Sequence, residues 1–193
     1  FSVSGIPVQR PGVSLQLGFN GTFQETKFTK LNPTDDRNYY IETGTISRGT
    51  GNFLGRQMVG YAPYTYYTYQ QKYDKDGRPL QNEFVDRNKD GIITEADRYM
   101  TGKSVSPKFF YGLNLKVTYK DWDFGFNGHG TVGNYMFNDV LRSGATAYYR
   151  DVIDKGYLVN TFAAGAKYGF TTNSTTAQCL SDMFLENASF FRL

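Results

Sequence analysis

The most specific chemical motif in the 193-residue sequence is a series of oxygen-bearing side chains between residues 86 and 97. Every second residue from Asp86 to Asp90 carries a side-chain oxygen, a glycine follows, and a further acid stands at the twelfth position. This spacing is typical of a loop that wraps hard oxygen ligands around calcium, with glycine at the sharp turn. The sequence therefore predicts a structural Ca²⁺ site, with the ligands Asp86, Asn88, Asp90, Asp97 and the carbonyl of Ile92.

This loop departs from the EF-hand pattern in two ways. Asp97 stands where an EF-hand has glutamate, and the shorter side chain makes bidentate ligation less certain. No helical pattern precedes the loop, because Asp74-Lys75-Asp76-Gly77 predicts a tight turn shortly before it. The alternative is a metal-free turn held by Asn and Asp side chains. A pair of signalling EF-hands is not expected, since the sequence has one such loop.

A cluster of tyrosines precedes this loop. The rings of Tyr64, Tyr66, Tyr67 and Tyr69 could stack on sugar rings or contact a partner protein, because tyrosine is large, rigid and amphipathic. The alternative is that these rings pack the connection onto itself. Both interpretations stay open from the sequence.

The remaining residues predict no enzyme. His129 and Cys179 are each the only residue of their type, so neither has the partner that zinc or triad chemistry requires. Neither GxSxG nor GxxxxGK[ST] occurs, and the acidic residues near Asp86 already fit a metal loop. A hydrolase that uses this acidic loop would need a paired, pKa-tuned site that the sequence does not show. The net charge of +3 gives no reason to expect nucleic acid as a partner.

The elements that must position these residues are strands. Apolar and polar residues alternate with period two over about 13–28, 109–119 and 122–132, and 188–193 has strand composition. Lys120-Asp121 predicts a tight hairpin turn between the second and third of these segments. The sequence therefore indicates an all-β fold of antiparallel strands.

Two long connections, about 31–108 and 133–187, separate these strands. Short helices are expected only near Asn138–Leu141 and Asp151–Asp154. Short turns at one end, long loops at the other and strands of about ten residues are typical of a transmembrane β-barrel. Aromatic residues at both strand ends, Tyr119 and Trp122 against Phe109–Tyr111, fit the two membrane interfaces. A soluble β-protein that buries the same aromatics is the alternative.

Seven motifs follow one another in an order characteristic of one transporter family. They are Val59-Gly60-Tyr61-Ala62-Pro63-Tyr64; Tyr73-Asp74 with Gly77 and Pro79; Val85-Asp86 through Asp97-Arg98; Pro107-Lys108-Phe109 with Tyr111-Gly112; Tyr119-Lys120 with Trp122-Asp123-Phe124; Gly133-Asn134-Tyr135 with Asn138; and Leu185-Glu186-Asn187-Ala188-Ser189-Phe190 with Arg192-Leu193. Through them the sequence resembles the C-terminal part of a SusC/RagA-type TonB-dependent outer-membrane transporter, from about residue 59 to its end.

This resemblance implies a segment of a transmembrane barrel of about 22 strands around an N-terminal plug. It implies a SusD-like surface lipoprotein as the partner that captures glycan or peptide, and TonB as the partner of an N-terminal part outside this chain. It also implies contact with the lipid bilayer of the outer membrane. We expect a portion of a longer protein, because four strands cannot close a barrel. The alternative function is a secreted, calcium-stabilised β-domain that binds carbohydrate through surface tyrosines.

Overall fold

A computed structural model describes residues 1–46, 52–146, 168–170, 172 and 174–193 of the chain. The chain divides into two compact units. The first comprises Phe1–Thr26, Val105–Tyr135 and Asn187–Leu193, and the second comprises Lys27–Ser104 and Met136–Glu186. Within the described ranges, no helix has the length and hydropathy that crossing a membrane would require.

Antiparallel strands make up most of the regular structure. In chain order the strands of the described residues are β1 (Ser2–Arg10), β2 (Val13–Phe23), β3 (Tyr40–Thr45), β4 (Phe53–Met58), β5 (Thr65–Thr68), β6 (Gln71–Tyr73), β7 (Pro79–Phe84), β8 (Tyr99–Ser104), β9 (Phe109–Tyr119), β10 (Trp122–Val132), β11 (Tyr135–Phe137), β12 (Leu185–Asn187) and β13 (Phe190–Arg192). Helices among the described residues include α1 (Asp139–Thr146), α2 (Thr176–Cys179) and the 3-10 turns Glu95–Asp97 and Asp182–Phe184. The all-β prediction is confirmed.

The first unit is a single five-stranded antiparallel sheet with the order β1-β2-β9-β10-β13. β2 pairs with β9 from Val13 opposite Tyr119 to Phe23 opposite Phe109 without a register shift, and β10 continues the same register on the other side of β9. Because side chains alternate between the faces of a strand, this register collects the apolar residues of all three strands on one face. Their polar residues lie together on the opposite face.

Aromatic rings line one end of the apolar face. Phe23 stacks on Phe109 with ring centroids 4.3 Å apart, Tyr111 lies 5.8 Å from Phe109, and Phe191 lies 5.9 Å from Tyr111. Phe1 extends this row to β1 through its contact with Phe23. At the other end of the same face lie the exposed rings of Tyr119 and Trp122. Tyr119 and Trp122 thus lie at the opposite end of the apolar face from Phe109 and Tyr111, whereas Phe110 lies on the polar face; their position at membrane interfaces stays a prediction.

Strand bounds in this unit agree with the sequence pattern for β9 and β10 and depart from it elsewhere. β2 ends at Phe23, so its predicted extension to residue 28 is wrong; Phe28 instead donates its N–H to the Tyr61 carbonyl. At the end of the chain, the strand covers Phe190–Arg192 within the predicted 188–193. β1 was not predicted, because Pro7 and a register shift between Gly5 and Val8 interrupt its alternation.

The connection 31–108 is not a plain loop. It contains six short strands in the second unit: a four-stranded sheet of order β3-β4-β5-β8 and the hairpin β6-β7. These strands have three to six residues, and β5 is buried on both faces, so no period-two alternation marks them. The predicted tight turn at Asp74–Gly77 is confirmed, since Asp74 Oδ1 accepts the N–H groups of Asp76 and Arg78.

The connection 133–187 is also partly regular. The helix expected at Asn138–Leu141 is confirmed as α1, where Asn138 Oδ1 accepts the Leu141 N–H at 2.8 Å. The helix expected at Asp151–Asp154 lies outside the described residues. Phe184 is fully buried against Ala145 and Phe170, and this cluster forms a hydrophobic core of the second unit.

We expect Phe184→Ala to destabilise the second unit by about 3–5 kcal/mol, because it removes a fully buried aromatic ring and leaves a cavity. Ile92→Ala is the matched control, since this side chain is largely exposed and its truncation changes stability by about 0.5 kcal/mol or less. Hydrogen exchange of the amides of α1 and β7, followed by mass spectrometry, measures the difference. Equal exchange in the two variants would contradict the assignment of this core.

Candidate functional site

The acidic loop is held at both ends by buried residues. β7 ends at the buried Phe84, and the next residue, Val85, donates its N–H to the Gln70 carbonyl at 2.9 Å. At the other end Asp97 is fully buried, and Arg98 is almost so. Asp86 is half-buried, whereas Asn88 and Asp90 are exposed. The loop therefore presents a polar surface between two fixed ends.

Asp97 closes this loop through hydrogen bonds to its backbone. Its Oδ1 accepts the N–H groups of Arg87 at 2.8 Å and Asn88 at 3.4 Å, and its Oδ2 accepts the Thr94 N–H at 2.8 Å. Thr94 in turn caps the 3-10 turn, since its hydroxyl accepts the Ala96 N–H. The bond from Thr94, together with those from Arg87 and Asn88, outweighs burial and lowers the pKa of Asp97 below its ordinary 3.8.

The other predicted ligands also bind the loop's own backbone. Asp86 accepts the N–H groups of Lys89 at 2.6 Å and Gly91 at 2.8 Å. Asn88 Oδ1 accepts the Asp90 N–H, and Asp90 Oδ1 accepts the Ile92 N–H. The backbone at Lys89 and Gly91 has φ of 62° and 85°, the left-handed region that glycine adopts without steric cost. The loop is thus a series of Asx turns.

The side chains of the acidic loop meet some but not all requirements of a cation site. Asp86 and Asp97 both bond the backbone of the same loop, and carboxylate oxygens are ligands that calcium prefers. However, no group of three or more His, Cys, Asp or Glu side chains suited to a metal occurs in the described parts of the chain. Ile92 is exposed and contributes its N–H to the loop. Calcium binding therefore stays a prediction.

The predicted tyrosine contacts divide into two kinds. The rings of Tyr66, Tyr67 and Tyr69 are buried in the second unit, and burial raises the pKa of Tyr66 and Tyr69. Tyr64 is about half exposed and has a left-handed backbone with φ of 56°. These positions fit the packing interpretation for three of the four rings. Of this group, only Tyr64 offers its ring to a partner.

A stack of arginine and tyrosine side chains links the acidic loop to the sheet, and no pattern in the sequence indicates it. The Arg56 guanidinium carbon lies 3.8 Å from the centre of the Tyr40 ring and 3.7 Å from that of Tyr67. The Arg98 guanidinium carbon also lies 4.4 Å from the centre of the Tyr67 ring, and Arg98 donates to the Tyr67 carbonyl at 2.7 Å and to the Phe53 carbonyl. Because Arg98 directly follows Asp97, the closure of the loop and the packing of β4 and β5 depend on adjacent residues.

His129 and Cys179 have no catalytic arrangement around them in the described structure. His129 lies exposed on the polar face of the first unit, with its ring edge-on to Phe190. The Cys179 thiol lies at the end of α2, 3.6 Å from the Thr146 hydroxyl. Neither contact pairs a nucleophile with a base.

We expect the loop to lose stability in acid. A lowered folded-state pKa means that the ionised Asp97 stabilises the loop at pH above about 4, and this contribution is lost as the pH falls through the folded value. Protection of the Arg87, Asn88 and Thr94 amides from hydrogen exchange should therefore decrease below pH 4. Asp97→Asn should lower this protection already at pH 7 and reduce its dependence on acid.

Glu95→Gln is the matched control for this prediction. It makes the same change from carboxylate to amide in the same 3-10 turn, but its side chain is mostly exposed and bonds only Arg98, at 3.3 Å. Wild-type protection in Asp97→Asn at pH 7 would refute the proposed role of Asp97.

Comparison with known proteins finds relatives that match this chain in full or in part. No family model matches it. The TonB-dependent receptor SusC of Bacteroides thetaiotaomicron is 35% identical over all 193 residues, which correspond to 19% of SusC. The TonB-dependent receptor P26 of Formosa agariphila is 28% identical over 116 residues, which are 58% of this chain and 11% of P26. The chain thus spans about a fifth or less of the relatives it matches.

Solved structures share the fold. The structure of the RagAB peptide transporter matches the whole chain with a TM-score of 0.64 and 17% identity, over 21% of its own length. The RagAB peptide importer in its open-open state matches with a TM-score of 0.61 and 19% identity, over 20% of its length. The matched proteins are receptors and transporters rather than enzymes. The chain is therefore a relative, over its full length, of part of the TonB-dependent receptor SusC, and it shares the fold of part of the RagAB transporter.

Proposed function

We propose that this chain contributes barrel wall and extracellular loops to an outer-membrane transporter that imports glycan or peptide. Its sheet is the observation that carries the proposal. β2, β9 and β10 each have 11 residues, about 36 Å at 3.3 Å per residue. At a tilt of about 45° such strands cross about 25 Å, the height of the apolar band of a transmembrane barrel.

The faces of this sheet support the same proposal. On the apolar side the rings of Phe23, Trp122 and Phe124 are between 63% and 78% exposed. Contact of rings this large with water would cost free energy that contact with lipid would not. Lipid would cover these rings, and the opposite polar face would line a water-filled lumen. A secreted sugar-binding domain receives less support, since three of its four candidate tyrosines are buried.

The partners of the whole transporter follow from its relatives. A SusD-like surface lipoprotein would act as the lid that captures substrate, and TonB would supply energy through a part of the protein outside this chain. RagAB is described as a peptide importer, and the family resemblance in the sequence implies glycan or peptide, so we propose these two substrate classes.

The location can be tested with an antiserum raised against this chain and applied to fractionated source cells. We expect an outer-membrane band of about 115 kDa, because 21.9 kDa corresponds to 19% of the length of SusC. Protease added to intact cells should cleave within residues 86–97, since these loops would face outward. A soluble band of about 22 kDa would instead favour the secreted β-domain.

We further propose that the acidic loop binds a structural calcium ion. The carboxyl groups of Asp86 and Asp97, which bond the backbone of the same loop, and the exposed side chains of Asn88 and Asp90 are hard oxygen donors of the kind that calcium prefers. The ion would supply charge neutralisation and stiffness to the loop; it takes no part in chemistry.

Calorimetry on the purified protein tests this site. We expect calcium to bind and to slow hydrogen exchange across residues 86–97, and the double variant Asp86→Asn with Asp90→Asn to abolish both effects. The matched control is Asp74→Asn with Asp76→Asn, which removes two carboxylates from the nearby turn. If wild-type protein gives neither heat nor protection, the loop is held by its hydrogen bonds alone.

A further inference from the structure

Tyrosine and arginine side chains alternate in a row across the second unit. In order they are Tyr40, Arg56, Tyr67, Arg98 and Tyr69, and we name this row the arginine–tyrosine ladder. The Arg56 guanidinium carbon lies 3.8 and 3.7 Å from the ring centres of Tyr40 and Tyr67, and that of Arg98 lies 4.4 and 5.9 Å from those of Tyr67 and Tyr69. All four distances are within the range of cation–π attraction. The ladder therefore connects β3, β4 and β5 with the residue that precedes β8.

Burial makes the two arginines depend on these rings. Arg98 is 7% exposed and Arg56 is mostly buried, and the Nε of each is buried without a hydrogen-bond acceptor in the described structure. Each guanidinium has one carboxylate nearby, Glu42 at 3.6 Å from Arg56 and Glu95 at 3.3 Å from Arg98. Cation–π attraction is stronger where water is excluded. Displacement of the Tyr67 ring would thus remove stabilisation from both buried cations.

The acidic loop joins the ladder where the loop ends. Arg98 directly follows Asp97, whose carboxylate accepts hydrogen bonds from the loop's backbone. The Tyr67 hydroxyl donates to the Glu95 carbonyl at 3.3 Å. The 3-10 turn that ends the loop is therefore attached to the Tyr67 ring at two points, and a shift of this turn would move both.

The other end of the ladder holds β3 and β4. β4 pairs with β5 through Gly55 and Arg56, a short pairing that buries little surface by itself. Side-chain contacts add to it, because Arg56 lies over the Tyr67 ring and Arg98 donates to the Phe53 carbonyl at the start of β4. β3 pairs with β4 and supplies Tyr40, the last ring of the ladder.

We propose that the arginine–tyrosine ladder is a conformational link through which the acidic loop and the β3–β4 pair open and close together. Segments of a protein open locally at less cost than global unfolding, and two openings that break a shared contact are coupled. The shared contact here is the Tyr67 ring, which Arg98 contacts from the end of the loop and Arg56 contacts from β4. An interaction that orders the acidic loop therefore also orders β3 and β4.

Backbone strain in the acidic loop tests this link in the complete, purified transporter that contains this chain. Gly91 has φ of 85°, and a Cβ added there would meet no atom within 4 Å, so Gly91→Ala strains the loop without a clash. We expect amide hydrogen exchange, followed by mass spectrometry, to become about tenfold faster across residues 86–97. Through the ladder, exchange in β3 and β4 should become about threefold faster.

Gly77→Ala is the matched control. Gly77 has φ of 76°, and its added Cβ would also meet nothing within 4 Å. This glycine lies in the turn between β6 and β7, two strands that supply no residue to the ladder. We expect faster exchange in this turn and unchanged exchange in β3 and β4. Equal acceleration of β3 and β4 by both variants would mean general loosening of the unit and would overturn the proposal.

A double-mutant cycle isolates the contribution of the ladder. Tyr67→Leu removes the ring that both arginines contact, so Gly91→Ala in this background should still speed exchange in the loop but no longer in β3 and β4. Tyr67→Phe keeps the ring and should retain most of the transmitted effect. If Tyr67→Leu does not fold, Arg56→Lys takes its place, because lysine keeps the charge but lacks the planar face that stacks on a ring.

Two results would contradict the link. One is wild-type exchange in β3 and β4 when Gly91→Ala has opened the loop, and the other is an unchanged transmitted effect in the Tyr67→Leu or Arg56→Lys background. The measurements need neither calcium nor transport. Their outcome is therefore separate from that of the proposed function.

Discussion

The uninterrupted register between β2 and β9 is the constraint on which the first unit depends. Eleven successive pairs run from Val13 opposite Tyr119 to Phe23 opposite Phe109, and a slip by one residue would place every apolar side chain on the opposite face. The tight turn at Lys120 and Asp121 then transmits the same register to β10. Both the apolar face and the polar face of the sheet follow from this single alignment, since neither exists on one strand alone.

The second unit is built on a different principle, in which buried polar side chains hold short segments that are distant in sequence. Gln71 donates to the carbonyls of Leu80 and Glu83, and its Oε1 accepts from Gln178 and Ser181. Strands of three to six residues bury too little surface to fix their own positions. Neutral amides suit this role, because burying them with all partners satisfied costs less than burying an ion pair.

The difference between the two units also decides how much of the fold and of the candidate site the sequence predicts. β9 and β10 were predictable to the residue, because one face is apolar over the full strand and period-two alternation is strong. The strands of the second unit were not, since residues 65–69 are buried on every side and so show no alternation. For the acidic loop, the spacing of the side-chain oxygens predicts that residues 86–97 form one loop. The hydrogen bonds by which Asp97 closes the loop, and the bond from Arg98 to Tyr67, depend on tertiary contacts that the spacing does not show.

Two of the motifs that carry the family resemblance, Gly133–Asn138 and Leu185–Leu193, include irregular backbone that side chains hold. Asn134 Nδ2 donates to the Ala188 carbonyl, and the Ser189 hydroxyl accepts the Gly133 N–H. Asn138 caps α1 and also donates to Glu186 at 3.0 Å. Regular strands satisfy their backbone by pairing and tolerate many sequences, whereas a turn needs a particular donor or acceptor at one position. Short ordered motifs can therefore mark this fold even where overall identity to proteins of the same structure is below 20%.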